Sequence, residues 1–309
     1  MPSDVPAPII SVVLPTFNRA HLLRPALDSV LAQRDCPPYE LVVADDGSTD
    51  ATPSLLARYG SALRVVRLEC NGGVARARAA GVDQARGSLL AFHDSDDLML
   101  PGRLGKLAAF LAARPDVDAV FGNGIVARDG VGHGATVVSR PLAQRLDGRL
   151  FGVREVVRDG LPVFLQAALI RRRAFDDAGG IDVTLRRHAD LDLACRLALA
   201  GRAVFLDLPV FRYRLHGENQ TRDRLKLREG MVAVMQGLRD RHPEVLAQLG
   251  PRWFGRRERR HLYRIAWRHW MSAWLEGRPR ELVAAGGALC RALGLELHDL
   301  PSRWGARSP

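Results

Sequence analysis

The sequence predicts an α/β fold with a mostly parallel central sheet, followed by a C-terminal helical appendage. Three observations point there. Strand-like and helix-like patterns alternate at short intervals from Ile9 to Ala127, as in a parallel sheet covered on both faces. Two acidic clusters, Asp45-Asp46-Gly47-Ser48 and Asp94-Ser95-Asp96-Asp97, each follow an apolar run, and ligands of open α/β sheets sit at such strand ends. Beyond Thr221 the pattern turns helical throughout.

The elements follow in order. Ile9 to Leu14 is β-branched and apolar, and Pro15 is expected to end that strand. Arg19 to Gln33 places Leu22, Leu23, Ala26, Leu27, Val30 and Leu31 at helical spacing. Leu41 to Ala44 reads as the second strand, and Ser48 or Asp50 can cap the helix running to Tyr59. Leu63 to Leu68 is a third strand, Val74 to Ala85 a helix, and Ser88 to Phe92 a fourth strand. Pro101 suits the first turn of a helix ending at Ala113, and Val117 to Ala127 is another strand. Arg128 to Arg158 is rich in glycine and lacks a period, so a loop is expected. Val163 to Ile170 is a strand or a buried helix start, Asp190 to Ala200 a short helix, and Ala203 to Tyr213 one or two strands. Helical segments then break near His242-Pro243, Gly250-Pro251 and Arg278-Pro279. The expected division is a domain over 1–220 and a helical extension over 221–309.

A chain of 309 residues accommodates one large α/β domain with an appendage. No apolar stretch reaches membrane-spanning length, and the first eight residues lack the pattern of a secretory leader. Cys36, Cys70, Cys195 and Cys290 are scattered without CxxC spacing, which argues against a zinc site or a disulfide framework and fits a reducing cytoplasm. The net charge is +11, yet Lys106 and Lys226 are the only lysines. Such basicity favours anionic substrates or membrane surfaces. No zinc finger, RNP motif or helix-turn-helix signature accompanies it, so no nucleic-acid partner is expected.

Carboxylates packed as densely as Asp94, Asp96 and Asp97 repel one another unless a cation or a donor relieves them, and they suit a hard divalent ion held partly by phosphates. Pro15 to Arg19 leaves a strand end and enters a helix, where free backbone N–H groups and Arg19 can meet a nucleotide. Val13-Leu14-Pro15-Thr16-Phe17-Asn18-Arg19, Asp45 to Asp50, Asn71-Gly72-Gly73 with Ala77 to Gly81, and Asp94-Ser95-Asp96-Asp97 follow in the order and spacing of the family 2 glycosyltransferases, which this chain resembles over about residues 9–216.

The resemblance implies the GT-A (nucleotide-diphospho-sugar transferase) fold and a UDP-, GDP- or dTDP-linked donor. It also implies Mg²⁺ or Mn²⁺, and transfer of a hexosyl group with inversion to a glycan, lipid-linked or small-molecule acceptor. Carried residue by residue, it implies that Pro15, Thr16, Asn18, Arg19, Asp46, Arg78, Asp94 and Ser95 bind the nucleotide sugar. Asp96 and His216, the latter in Tyr213-Arg214-Leu215-His216, are the implied metal ligands. Gly179-Gly180-Ile181-Asp182 and Ala189-Asp190-Leu191-Asp192-Leu193 resemble the family's GGFDE…EDxDL element, which makes Asp190 the implied base. Ala189 stands where the family usually has glutamate. That departure is the one hint of an alternative, an inactive sugar-nucleotide-binding or scaffold protein of the same fold. His93, Asp97 and Asp192 read as structural, and Arg171-Arg172-Arg173 as a solvated helix start or a diphosphate contact. The segment QGLRD from Gln236 lacks the tryptophan of the QxxRW motif of processive synthases, so a single-addition enzyme is expected.

All five tryptophans, Trp253, Trp267, Trp270, Trp274 and Trp304, lie in the arginine-rich tail. Trp267, Trp270 and Trp274 share a helical stripe. Two readings stay open: an interfacial helix at the inner face of the membrane, or a stripe packing on the chain's own domain or a second copy.

Overall fold

The computed structural model describes residues 7–128, 131–216 and 224–250, together with 252, 255–260, 262, 264 and 267. The chain forms two compact units, Met1–Asn219 and Gln220–Pro309.

The first unit is built on β1 (Ile10–Thr16), α1 (Ala20–Leu31), β2 (Tyr39–Asp45), α2 (Thr52–Ala57), β3 (Arg64–Arg67), α3 (Val74–Gln84), β4 (Leu89–Phe92), β5 (Leu98–Met99) and α4 (Arg103–Ala113). It continues through β6 (Ala119–Arg128), β7 (Val131–Thr136), α5 (Arg140–Leu146), β8 (Arg149–Phe151), β9 (Ala168–Arg171), α6 (Arg172–Asp177), α7 (Ala189–Leu199) and β10 (Ala203–Leu215). The sheet order is β3-β2-β1-β4-β9-β6-β10-β5, with β7 on β6 and β8 on β10. Strands β3, β2, β1 and β4 run parallel, as do β6 and β10. Strand β9 enters antiparallel between β4 and β6, and β5, β7 and β8 also pair antiparallel. The sheet is therefore mixed beyond its parallel first half.

Alternation along β1 sets the layers. Ile10, Val12 and Leu14 share a buried cluster with Leu23, Ala26, Leu27 and Val30 of α1 and Leu104, Leu107 and Leu111 of α4. Val13 points to the other face, where a Cβ on Gly81 of α3 would stand 2.5 Å from its Cγ1. Glycine is what lets α3 lie this close.

Two expectations are corrected. Pro15 does not end its strand: β1 continues to Thr16, with Pro15 paired to Ala44 and Thr16 to Asp45. The register with β4 stops at Val13, so the N–H that Pro15 lacks is not needed on that side. The interval from Arg128 to Arg158 is not a plain loop, since β7, α5, β8 and a wide helical turn at Arg154–Arg158 occupy it. These pieces are short: β7 folds back on its neighbour β6 with a register shift, and β8 pairs with the distant β10, so no local periodicity announces them.

In the second unit, α8 (Arg224–Arg241) and α9 (Pro243–Leu249) meet at the expected His242-Pro243 break. Glu258 accepts from Gln236 Nε2 at 3.1 Å and from Arg239 Nη1 at 3.0 Å. Trp267 is 45% exposed, whereas Trp253, Trp270, Trp274, Trp304 and the expected break at Arg278-Pro279 lie outside the described residues.

Candidate functional site

The parallel strand ends gather most of the predicted residues. At the end of β1, Pro15 and Thr16 are buried, and Thr16 Oγ1 has no hydrogen-bond partner among the described residues. Asn18 adopts a left-handed φ of 49° and turns its side chain onto the neighbouring loop. Its Oδ1 accepts from Thr49 N–H at 2.8 Å and Asp50 N–H at 3.3 Å, while its own N–H donates to Ser48 Oγ at 2.9 Å. Asn18 thus staples the first loop to the second. The Arg19 N–H donates to Thr52 Oγ1 at 3.1 Å, and Asp50 accepts from the Thr52 and Ala20 N–H groups, serving the starts of α2 and α1 together.

At the end of β2, Asp46 is 3% exposed. Its two oxygens accept from the Gly72 and Gly73 N–H groups, each at 2.8 Å. Next to it, Gly47 has φ 74°, and a Cβ there would stand 2.9 Å from the Cys70 backbone, so only glycine fits the turn. The second loop is in this way welded to the turn that starts α3. One helical turn on, Arg78 is buried with Nη2 at 2.6 Å from Asp94 Oδ1, and its Nε has no partner among the described residues. Burial opposes its charge, yet the carboxylates of Asp94, Asp190 and Asp96 raise its pKa above the ordinary arginine value. One guanidinium therefore feels all three acids that the sequence assigned to donor, metal and base.

The loop after β4 holds Asp94 and Asp96 partly exposed, at 28% and 23% for their side chains, with Ser95 buried between them. His216, just past β10, brings Nε2 to 3.1 Å from Asp96 Oδ2. Two residues separated by 120 positions are thus within hydrogen-bonding distance. Among the described residues no group of three or more His, Cys, Asp or Glu side chains forms a metal cage. Asp97 is 1% exposed, and burial, then the charge of Asp96, pushes its carboxyl well above the usual range. His93 is fully buried, and burial with the nearby Arg103 and Arg214 charges lowers its pKa to about 3. Under it, Arg103 donates from Nη2 to the Phe92 and Ala168 carbonyls, tying the end of β4 to the start of β9. Burial brings its pKa down to about 9.

Asp190 sits in the first turn of α7, where a helix N-terminus favours negative charge. Its Oδ1 accepts from the Leu191 N–H at 2.9 Å. Within α7, the fully buried Asp192 accepts from Arg196 Nε at 3.0 Å and Nη2 at 2.6 Å. Arg196 Nη1 also donates to the Ala178 carbonyl, fixing the Gly179-Gly180 turn against α7. Ala189 is 4% exposed.

The arginine triplet does not join this site. Arg171 donates to the Val117 and Leu111 carbonyls, Arg172 to the Ala85 carbonyl, and Arg173 meets Asp118 at 3.2 Å. These partners stand at the opposite edge of the sheet, where β6 begins and β9 ends, so the triplet is not a diphosphate contact. Sequence reasoning also missed Arg103 and the stapling role of Asn18. Neither carries a local signal, because their partners lie on other elements of the fold.

The family model "Glycosyl transferase family 2" matches residues 11–178. The chain belongs to that family. TuaG of Bacillus subtilis, named for teichuronic acid biosynthesis, is 35% identical over 126 residues, covering 40% of this chain and 50% of TuaG. The chain thus matches about half the length of that relative. The PGL/p-HBAD biosynthesis glycosyltransferase of Mycobacterium tuberculosis is 31% identical over 194 residues, 62% of this chain and 70% of its own. Among solved structures, S. aureus TarS 1-349 with UDP-GlcNAc superposes with a TM-score of 0.64 at 21% identity, covering 92% of this chain and 81% of that one. Pyrobaculum calidifontis PcManGT with GDP-Man and Mn²⁺ gives 0.62 at 23% identity, covering 94% and 84%. At such identities the likeness speaks to the fold, which is GT-A.

Proposed function

We propose that this family 2 glycosyltransferase moves a sugar from a nucleoside-diphosphate donor to an acceptor hydroxyl with inversion, one sugar at a time, using a divalent ion. What supports the reading is the buried Arg78–Asp94 pair at 2.6 Å, on whose guanidinium the charges of Asp190 and Asp96 also act. Donor-side and base-side carboxylates share one neighbourhood although nearly a hundred residues separate them in sequence.

Each group has a chemical task. Asp46 and the Gly72-Gly73 backbone bound the base end, and the unpartnered Thr16 Oγ1 and Arg78 Nε are polar atoms suited to the nucleotide. Asp96 and His216 would hold the ion through one oxygen and one nitrogen, leaving positions for oxygens of the diphosphate and water. When bound, the ion offsets the negative charge that grows on the departing diphosphate. Asp190 takes the proton from the acceptor hydroxyl, whose oxygen attacks the anomeric carbon opposite the leaving nucleotide.

The domain of residues 1–220 carries this chemistry, and the extension of 221–309 meets the acceptor, a second copy or the inner face of a membrane. Among the described residues no helix is long and apolar enough to cross one. The test is a melting-temperature and turnover screen against UDP-, GDP- and dTDP-sugars with and without Mn²⁺. A ligand that binds only the folded chain raises its melting temperature. The reading predicts one donor class that does so with Mn²⁺ and is consumed when an acceptor is supplied. Binding without any transfer or hydrolysis supports the inactive-scaffold alternative, and no binding at all contradicts both.

A further inference from the structure

Arg214 has no part in the chemistry above, yet it grips the acidic loop twice. Its N–H donates to Asp97 Oδ1 at 2.7 Å, and its Nε donates to the Asp96 carbonyl. Its Nη2 donates to the Leu22 carbonyl of α1 at 3.0 Å. Two residues on, His216 meets the Asp96 carboxylate at 3.1 Å. Strand side chains recur on one face every second residue, so Arg214 and His216 lie along the same side of the end of β10. A carboxylate in an open loop has backbone and side-chain torsions to lose before it can ligate an ion. Holding its own carbonyl removes part of that freedom in advance.

We propose that Arg214 is a positioning residue for the cation site: by fixing the peptide of Asp96 to β10 and α1, it aims the Asp96 carboxylate at the same point as the His216 imidazole. The inference rests on the metal-binding reading above. The planar guanidinium fork spans two carbonyls, those of Asp96 and Leu22, which the single ammonium of a lysine does not. A lysine here would keep the charge and lose the span.

The test reads Mn²⁺ binding directly, by the electron paramagnetic resonance signal of the free ion, in the presence of UDP in one series and GDP in another. Affinity for the nucleotide without metal is measured in parallel. Residues that orient metal ligands typically cost about 10–100-fold in metal affinity when lost. Arg214→Met is expected to weaken Mn²⁺ binding by about tenfold or more while leaving metal-free nucleotide affinity within about twofold. A smaller loss of Mn²⁺ affinity, or an equal fall in both affinities, overturns the role. Should Arg214→Met fail to melt cooperatively, Arg214→Lys decides, with a loss of about threefold or more expected and less than that contradicting it. A wild-type chain that binds no Mn²⁺ with either nucleotide fails the metal reading itself. A wild type that binds it, beside variants that bind equally, fails Arg214 alone.

Discussion

At the scale of the residue, charge and burial decide what each acid and base can do. Asp190 is the group whose removal should stop transfer without loosening the donor. Asp190→Asn is expected to lower kcat by about 10²–10⁴-fold, with nucleotide affinity in a calorimetric titration unchanged. A matching loss of nucleotide affinity would sink the role. His93 makes a separate prediction. Its folded pKa of about 3 lies below the ordinary 6.5, so between those values the unfolded chain binds the extra proton. That favours unfolding, so stability is full above pH 6.5 and falls as pH drops toward 3. His93→Leu removes this loss. Urea denaturation at steps from pH 7.5 to 4 should show the wild type losing more stability than the variant, and parallel curves would contradict it. Both acidic clusters were legible in the sequence as strand-end loops, because each follows an apolar run, and they lie after β2 and β4. The partner of each acid was not, since Gly72, Gly73, Arg78 and Arg214 reach them only through the fold.

At the scale of the element, loops are welded to helices by backbone hydrogen bonds and by close approach. Asp46 holds two amides at the start of α3 with its two oxygens, and asparagine keeps just one acceptor. Asp46→Asn should therefore cost about 1–3 kcal/mol in chemical denaturation, as one amide loses a charged partner. Gly81 sets two effects against each other. Alanine gains about 1 kcal/mol in helix propensity, but its Cβ would stand 2.5 Å from Val13 Cγ1, and overpacking of this kind costs about 1–3 kcal/mol. The steric cost outweighs the propensity gain, so Gly81→Ala should lower the melting temperature, and a rise would refute the tight α3–β1 packing. Elements with strong local period, such as α1, β4 and α4, stood out in sequence to within a few residues. Strands β7 and β8 did not, because three to six residues of weak pattern become strands by pairing with β6 and β10.

At the scale of the whole molecule, the mixed sheet brings distant segments to one edge. Strand β10 returns parallel to β6, and its end sets His216 within 3.1 Å of Asp96. The tail is the opposite case. Its tryptophans and arginines carry no code for what they touch, and a stripe fits a lipid surface as well as a protein one. The central claim is that Asp96 and His216 hold a divalent ion against a nucleotide beside Asp190. The most direct measurement is anomalous diffraction at the manganese edge from crystals grown with Mn²⁺ and UDP or GDP. The account predicts one strong peak bonded to both the Asp96 carboxylate and His216 Nε2, with the diphosphate on its far side. A nucleotide bound with no peak there, or a peak on other residues, would contradict it.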